Sequence, residues 1–344
     1  MRFVCYSDWT QLPESANALF EKGAGENMSF SRPWFENLAT TTLENDQSIL
    51  LACVAQQDNI LAILPLIQQS DGNWQSLSHP YSSLYSLLLA EDDSQLKIRT
   101  CLARGLSQLS WRSLSLKPFD ENDARITGLQ QALEAQGMSC YSGFRFFNWS
   151  YAVQGKNFAQ YMAERPGRVR STIARKQRKL EREQGVEIRL FIDQDIEQAI
   201  ADYHTVYKAS WKAHEQYVAL LEGLVKQFAR QGWLRLAILY IKNRPAAAQL
   251  WFVVHGKASI FRLAYDEAWK QYSPGSILTR FLMEYMIDTD KVDEIDFLTG
   301  NERYKQDWMS QRRGRFELVC GNNNSSNKSR PVIDKLKGLL KALS

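Results

Sequence analysis

The sequence predicts a mixed α/β (α+β) chain built from two similar halves, and three observations carry that prediction. At 344 residues the chain suits two domains better than one. Two pairs of apolar runs read as β-hairpins, with helical stretches between and after them. The two hairpins overlay at an offset of 185 residues, as an internal duplication of one α/β unit would require.

The first hairpin pairs Ile49–Ala55 with Ile60–Ile67 across Gln57-Asp58-Asn59, and the second pairs Leu234–Ile241 with Ala246–Val254 across Lys242-Asn243-Arg244-Pro245. Under the overlay Leu51-Ala52 falls on Leu236-Ala237 and Ala62 on Ala247. Helical spacing covers Ser94–Ser110 through Leu96, Leu102, Leu106 and Leu109, and Asp123–Gln136 through Ile126, Leu129 and Leu133. Asp195–Leu224 predicts one or two helices with Ile196, Ile200, Tyr203 and Tyr207 on one face. Ser259–Tyr265 predicts a strand, followed by a loop, the turn Ser273-Pro274-Gly275-Ser276 and a helix over Ile277–Ile287. Glu294–Leu298 reads as a further buried strand. Gly321–Arg330 is an Asn/Ser-rich linker, and Val332–Leu343 a short amphipathic basic helix suited to docking on its own domain or on a membrane surface.

Composition bounds the function. Hydrophobic residues at 44% and charged residues at 23% suit a globular core, and a net charge of +4 is too small for a general polyanion binder. Five cysteines at 5, 53, 101, 140 and 320 form no CxxC clip, and their odd number suits reduced, scattered thiols in a cytoplasmic protein. The N-terminus turns polar at once, unlike a signal peptide, and no run is long enough to span a membrane. The histidines at 79, 204, 214 and 255 lack HExxH spacing, so no metal is expected. No GxSxG elbow, GxxxxGK[ST] loop or GxGxxG fingerprint is present.

Three segments carry candidate chemistry. Gly275 just before a helix start lets backbone approach an anion, the first N–H groups of that helix offer a pyrophosphate site, and Ser276 caps the helix or donates to a phosphate; the same turn is also a routine cap. Asp296 to Trp308 ends a buried strand in Gly300 and gathers Tyr304, Lys305 and carboxylates, where catalytic groups or an ordinary surface loop are both expected. Arg165–Arg182 holds eight Lys/Arg against Glu181, with Val169, Ile173 and Leu180 as an apolar stripe; its face is either solvated or binds phosphates through Arg170, Arg175 and Lys176.

In order, Arg170–Gly185, Phe261-Arg262-Leu263-Ala264-Tyr265-Asp266, Ser273-Pro274-Gly275, and Ile295-Asp296-Phe297-Leu298 with Gly300, Tyr304-Lys305 and Trp308 resemble the BioF2-like acetyltransferase domain family. That family includes proteins linked to cellulose and other polysaccharide production and is related to the FemAB peptidyltransferases. The resemblance is strongest over 150–318. It implies a tandem GNAT-like N-acyltransferase fold, two mixed sheets flanked by helices, with halves at 1–150 and 151–320 and a tail at 321–344. It also implies an acetyl-CoA or acyl-CoA co-substrate, with the pyrophosphate at Ser273, Pro274, Gly275, Ser276 and Ile277 and the pantetheine arm beside the strand ending at Tyr265. The phosphate loop keeps only Gly275 of the Arg/Gln- and Gly-rich pattern usual in such folds.

The reaction expected is attack by an amine, or a hydroxyl, of a small-molecule or glycan-precursor acceptor on the thioester. Asp296 or Asp266 is the expected base, Tyr265 or Tyr304 the donor to the leaving thiolate, and Lys305 a stabiliser of negative charge. Arg170, Arg175, Lys176, Arg262 and Trp308 are the expected substrate contacts. The alternatives are a FemAB-like transferase using aminoacyl-tRNA, with tRNA as partner, and a catalytically inactive module that binds a carbohydrate or a protein.

Overall fold

Continuous apolar runs joined by tight turns build the two long hairpins of this molecule, each buried along nearly its whole length. The computed structural model describes residues 1–91, 94–212 and 214–322, so the expected linker and tail helix lie outside the described residues. The chain forms two compact units, Met1–Phe147 with the chain from Arg313, and Asn148–Arg312. The sequence placed its cuts at 150 and 320 instead, because nothing in the letters marks the last strand as returning to the first unit.

In the first unit the elements are β1 (Arg2–Tyr6), α1 (Asn17–Glu26), α2 (Arg32–Thr42), β2 (Gln47–Gln56), β3 (Asn59–Gln69), β4 (Asn73–Ser76), β5 (Leu88–Leu89), α3 (Gln95–Ser107), β6 (Ser113–Asp120), α4 (Ala124–Ala135) and β7 (Ser139–Ala152). The second unit follows with α5 (Phe158–Ala163), α6 (Gly167–Glu183), β8 (Val186–Phe191), α7 (Ile196–Lys208), α8 (Val218–Arg230), β9 (Leu234–Ile241), β10 (Arg244–Val254), β11 (Lys257–Tyr265), α9 (Pro274–Glu284), β12 (Glu294–Thr299) and α10 (Lys305–Trp308). The final strand, β13 (Gln311–Gly321), pairs antiparallel with β6.

Each unit carries a mixed sheet. In the first, β1 to β4 pair antiparallel in sequence order and β4 pairs parallel with β6 across α3. In the second, β8 to β11 pair antiparallel in sequence order and β11 pairs parallel with β12 across α9. A helix pair lies between the first two strands of each, α1–α2 and α7–α8. The duplication reaches single residues. In β2–β3 the register shifts so that Leu61 is unopposed, and in β9–β10 the shift leaves Ala246 unopposed, 185 residues on. A β-bulge bends its strand and is a built feature, so a shared one argues for one ancestral unit used twice. Pro245 sits at the second bulge, where a strand tolerates the missing N–H.

The helices bury the faces their spacing predicts, with one exception. Leu96 is 69% exposed and Ile98 takes its place on the inner face of α3. In the second unit Ile277, Leu282 and Met286 pack with Ile173 and Leu180 of α6 and with Trp251 and Ile295 of the sheet. Each such large apolar side chain contributes about 1.5–3 kcal/mol on burial.

The cysteines correct the sequence reading. Cys140 of β7 and Cys320 of β13 form a disulfide in the first unit, leaving Cys5, Cys53 and Cys101 free. Fold topology brings together two thiols 180 residues apart, which no spacing rule reveals. Among the described residues no helix is long and apolar enough to cross a membrane, and no cluster of His, Cys, Asp and Glu is placed to hold a metal ion.

Candidate functional site

The two parallel strands of the second unit open a cleft. β11 and β12 pair only at Lys257–Glu294, Ala258–Ile295 and Ser259–Asp296, and the strands then part. A register shift against β10 leaves Phe261 unopposed at the parting point. Beyond it lies a cleft of about 470 Å³. Leu263 and Tyr265 line it from β11, Gly275, Ser276 and Thr279 from α9, Arg168, Thr172 and Ile173 from α6, and Tyr304 and Trp308 from the chain after β12.

The helix start that borders the cleft differs in detail from the sequence reading. The expected loop before it is a 3₁₀ helix, Glu267–Tyr272, capped by the Asp266 carboxylate, which accepts from the Ala268 N–H at 2.9 Å. α9 begins at Pro274, so Gly275 and Ser276 belong to its first turn, and Ser273 (φ 55°) is the N-cap, without a side-chain cap bond. The Ser276 and Ile277 N–H groups turn back onto the Ser273 carbonyl at 3.0 and 3.2 Å. Among the described residues, the Gly275 N–H makes no hydrogen bond. A Cβ at Gly275 would lie 3.2 Å from Tyr265 Cδ1, so a larger residue would push the ring. From beneath, the buried Gln249 amide donates to the Gly275 carbonyl at 2.8 Å and to Thr279 Oγ1 at 2.6 Å, while its oxygen accepts from Trp251 Nε1. Gln249 thereby fixes the first turn of α9 against the sheet.

Asp296 and Lys305 lie beside the cleft without lining it. Asp296 is 6% exposed; its Oδ1 accepts from Asn148 Nδ2 at 2.5 Å and from the Leu298 N–H at 2.6 Å. Asn148 Nδ2 also donates to the Leu298 carbonyl at 3.0 Å. Lys305, 4% exposed, donates from Nζ to the Phe297 carbonyl at 3.0 Å and the Thr299 carbonyl at 2.5 Å, and pairs with Glu302 at 3.2 Å. These bonds surround Leu298, whose φ of 52° puts a branched residue in the left-handed region at about 1–2 kcal/mol. Burial pushes the Lys305 ammonium below its ordinary value. Both residues brace the end of β12 where it leaves β11.

The remaining predicted residues are spread around this frame. Tyr265 packs against Trp211 with centroids 4.5 Å apart and the rings tilted at 44°, and Tyr304 is 48% exposed at the rim. Trp308 forms a wall; its carbonyl accepts from Tyr161 Oη at 2.8 Å and from Arg165 Nη1 at 2.9 Å. Arg262 pairs with Glu215 at 3.3 Å. Lys176 donates to the Gln271 carbonyl, tying α6 to the 3₁₀ helix, whereas Arg170 and Arg175 are exposed on α6. Sequence reasoning missed Trp211, Lys212, Thr172, Gln249 and Thr279. The run 195–224, expected as one or two helices, is two, and the break between Lys208 and Val218 has no Gly or Pro to announce where it falls.

Residues 167–306 match the family model for an acetyltransferase (GNAT) domain, a span that holds α6 to α9 and the whole parted pair. No curated protein matches the chain in sequence. Among solved structures, FemX superposes with a TM-score of 0.60 at 11% identity, over 88% of this chain and 95% of that one. A conserved protein of unknown function from Bacteroides thetaiotaomicron gives 0.59 at 10%, over 92% and 99%. The C-terminal domain of a putative lysylphosphatidylglycerol synthetase from Agrobacterium fabrum gives 0.56 at 9%, over 94% of each chain. At such identities the likeness speaks to the fold.

Proposed function

We propose that this chain, which carries a GNAT-type acetyltransferase domain in a fold shared with FemX, transfers an acyl group from an acyl-CoA thioester to an amine. The observation that carries the reading is the parting of β11 and β12 beside the open Gly275 amide. A strand edge with unpaired N–H and C=O groups suits the amides of a pantetheine arm. The Gly275 N–H at the positive end of α9, with Arg168 at the rim, suits the diphosphate. Only one amide is open there, and Arg168 already pairs with Asp307 of the cleft at 2.7 Å, so a diphosphate would compete with that carboxylate for the guanidinium.

The chemistry asks for little beyond positioning. A thioester carbonyl held in the cleft meets an amine entering from the far side, and the fixed geometry supplies most of the rate gain. Tyr265 and Tyr304, both at the cleft, are the candidate proton donors to the leaving sulfur. Asp296 and Lys305 serve the reaction by holding the β12 end in place. The acceptor class we favour is an amine on a sugar or other envelope precursor. The donor class confines the reaction to the cytoplasm, where nucleotide thioesters reside.

The test is direct. Acetyl-CoA should raise the melting temperature of the protein, and a panel of amines should release free thiol from it. If neither occurs, the reading fails. The aminoacyl-tRNA alternative draws support from the exposed arginines Arg170, Arg175 and Arg178 on α6, and it predicts stabilisation by charged tRNA with no response to acetyl-CoA.

A further inference from the structure

The connection between α7 and α8 brings Trp211 and Lys212 to the place where β11 and β12 part. Trp211 lines the cleft and packs against Tyr265 with the two rings tilted at 44°. The Lys212 ammonium lies 5.7 Å from the ring centroid of Trp211 and 5.7 Å from that of Tyr207 on α7. The charged groups it faces are Arg262 of β11, Glu215 of its own connection, and Glu302 from the turn after β12. Arg262 and Glu302 thus flank it from the two chain segments that diverge to form the cleft. Each of these groups already has a partner: Arg262 pairs with Glu215, and Glu302 with Lys305. Lys212 Nζ makes no hydrogen bond or ion pair among the described residues.

We propose that Lys212 is the base that deprotonates the acceptor in the transfer reaction. The proposal rests on the acyl-transfer reading and names the group that reading lacks, since Asp296 is committed to the β12 turn and Asp266 to the cap of the 3₁₀ helix. The surroundings suit this role better than anion binding. Glu215 and Glu302 would repel a carboxylate on the acceptor but draw in an ammonium. Two aromatic rings also hold the lysine without neutralising it. Burial, then the Arg262 charge, bring its amine down from 10.5 to about 8, with Glu215 and Glu302 pulling the other way. A lysine so placed exchanges protons close to working pH.

The step balances. The acceptor ammonium gives one proton to the Lys212 amine, and its nitrogen then forms the bond to the thioester carbonyl carbon. The C–S bond breaks and its electron pair leaves on sulfur. The second nitrogen proton ends on that sulfur as the free thiol, and Lys212 returns its own proton to solvent.

The test uses the full chain with acetyl-CoA and two acceptors, methylamine and hydroxylamine, the latter unprotonated at neutral pH. Lys212→Arg keeps the charge and removes the base. With methylamine, kcat/KM should fall by about 100-fold, the scale of general-base catalysis. The rise of kcat/KM with pH toward about 8 should vanish. With hydroxylamine the loss should be under about fivefold, because no ammonium proton has to be removed before attack and the proton lost on acyl transfer goes to the leaving sulfur. Acetyl-CoA should shift the melting temperature of the variant as it does the parent, which shows that the donor site is intact. A variant with the parental rate and the parental pH limb overturns the lysine assignment alone. A parent that neither binds acetyl-CoA nor releases thiol overturns the transfer reading and this proposal with it.

Discussion

Replacing Lys305 by Met tests the brace at the end of β12. The substitution keeps the length and apolar stem and removes the ammonium. In the parent, Nζ satisfies the carbonyls on either side of Leu298 and pairs with Glu302. A hydrogen bond from a charged donor contributes about 1.5–3 kcal/mol, and a buried carbonyl left without a donor costs about 1–3 kcal/mol. Against this, the parent carries the cost of burying the ammonium, visible in its lowered pKa. The net loss should be about 3 kcal/mol. For a unit of this size that is roughly 6–12 °C in melting temperature. The pH dependence gives a second reading. Because the Lys305 value in the folded chain lies below the ordinary 10.5, the unfolded chain binds that proton more tightly. Stability from this group therefore rises as pH climbs toward 10.5, where the neutral amine still donates, and Lys305→Met should lose that slope. Thermal unfolding across this pH range reads both effects. A variant that melts within 1–2 °C of the parent, with the slope intact, would refute the account of a braced turn.

Two further predictions follow from the same cleft. Gly275→Val should weaken acetyl-CoA binding by at least about tenfold while moving the melting temperature by less than about 4 °C, because the added carbons meet Tyr265 and Leu263, both of which line the cleft; calorimetric titration and unfolding separate the two. The chain should bind one acetyl-CoA, not two, by titration. In the first unit the segment after β4 buries Ser82, Ser83, Tyr85, Ser86 and Leu87, with Tyr85 Oη donating to the Pro65 carbonyl of β3 and the Tyr85 N–H to the Pro118 carbonyl of β6, so its own chain occupies the equivalent opening.

How much of this was legible in the letters depended on range. The hairpins were, because apolar runs and turn chemistry are local: Lys242 and Asn243 both adopt positive φ, as a tight two-residue turn demands. The offset of 185 was legible too, since repetition is written in the sequence itself, whereas the shared bulge shows only in the strand register. Gly275 was found because a Pro-Gly pair at a helix start has a conformational reason. The roles of Asp296 and Lys305 were not readable, because a carboxylate committed to Leu298 and one open to a ligand look alike until the partners are known. Trp211 and Lys212 were missed because the sequence allowed two helices over Asp195–Leu224 but carried no mark of where the first one stops. The return of β13 to the first unit and the joining of Cys140 to Cys320 are long-range events with no local mark.

The bridge between Cys140 and Cys320 also closes a loop that takes in every residue of the second unit. On the chain-entropy account, closing a loop of this length removes about 5 kcal/mol of freedom from the unfolded chain. It also changes what damage means. A protease that nicks the backbone once between 148 and 312 leaves a single covalent molecule, whose pieces separate only when a reductant is supplied.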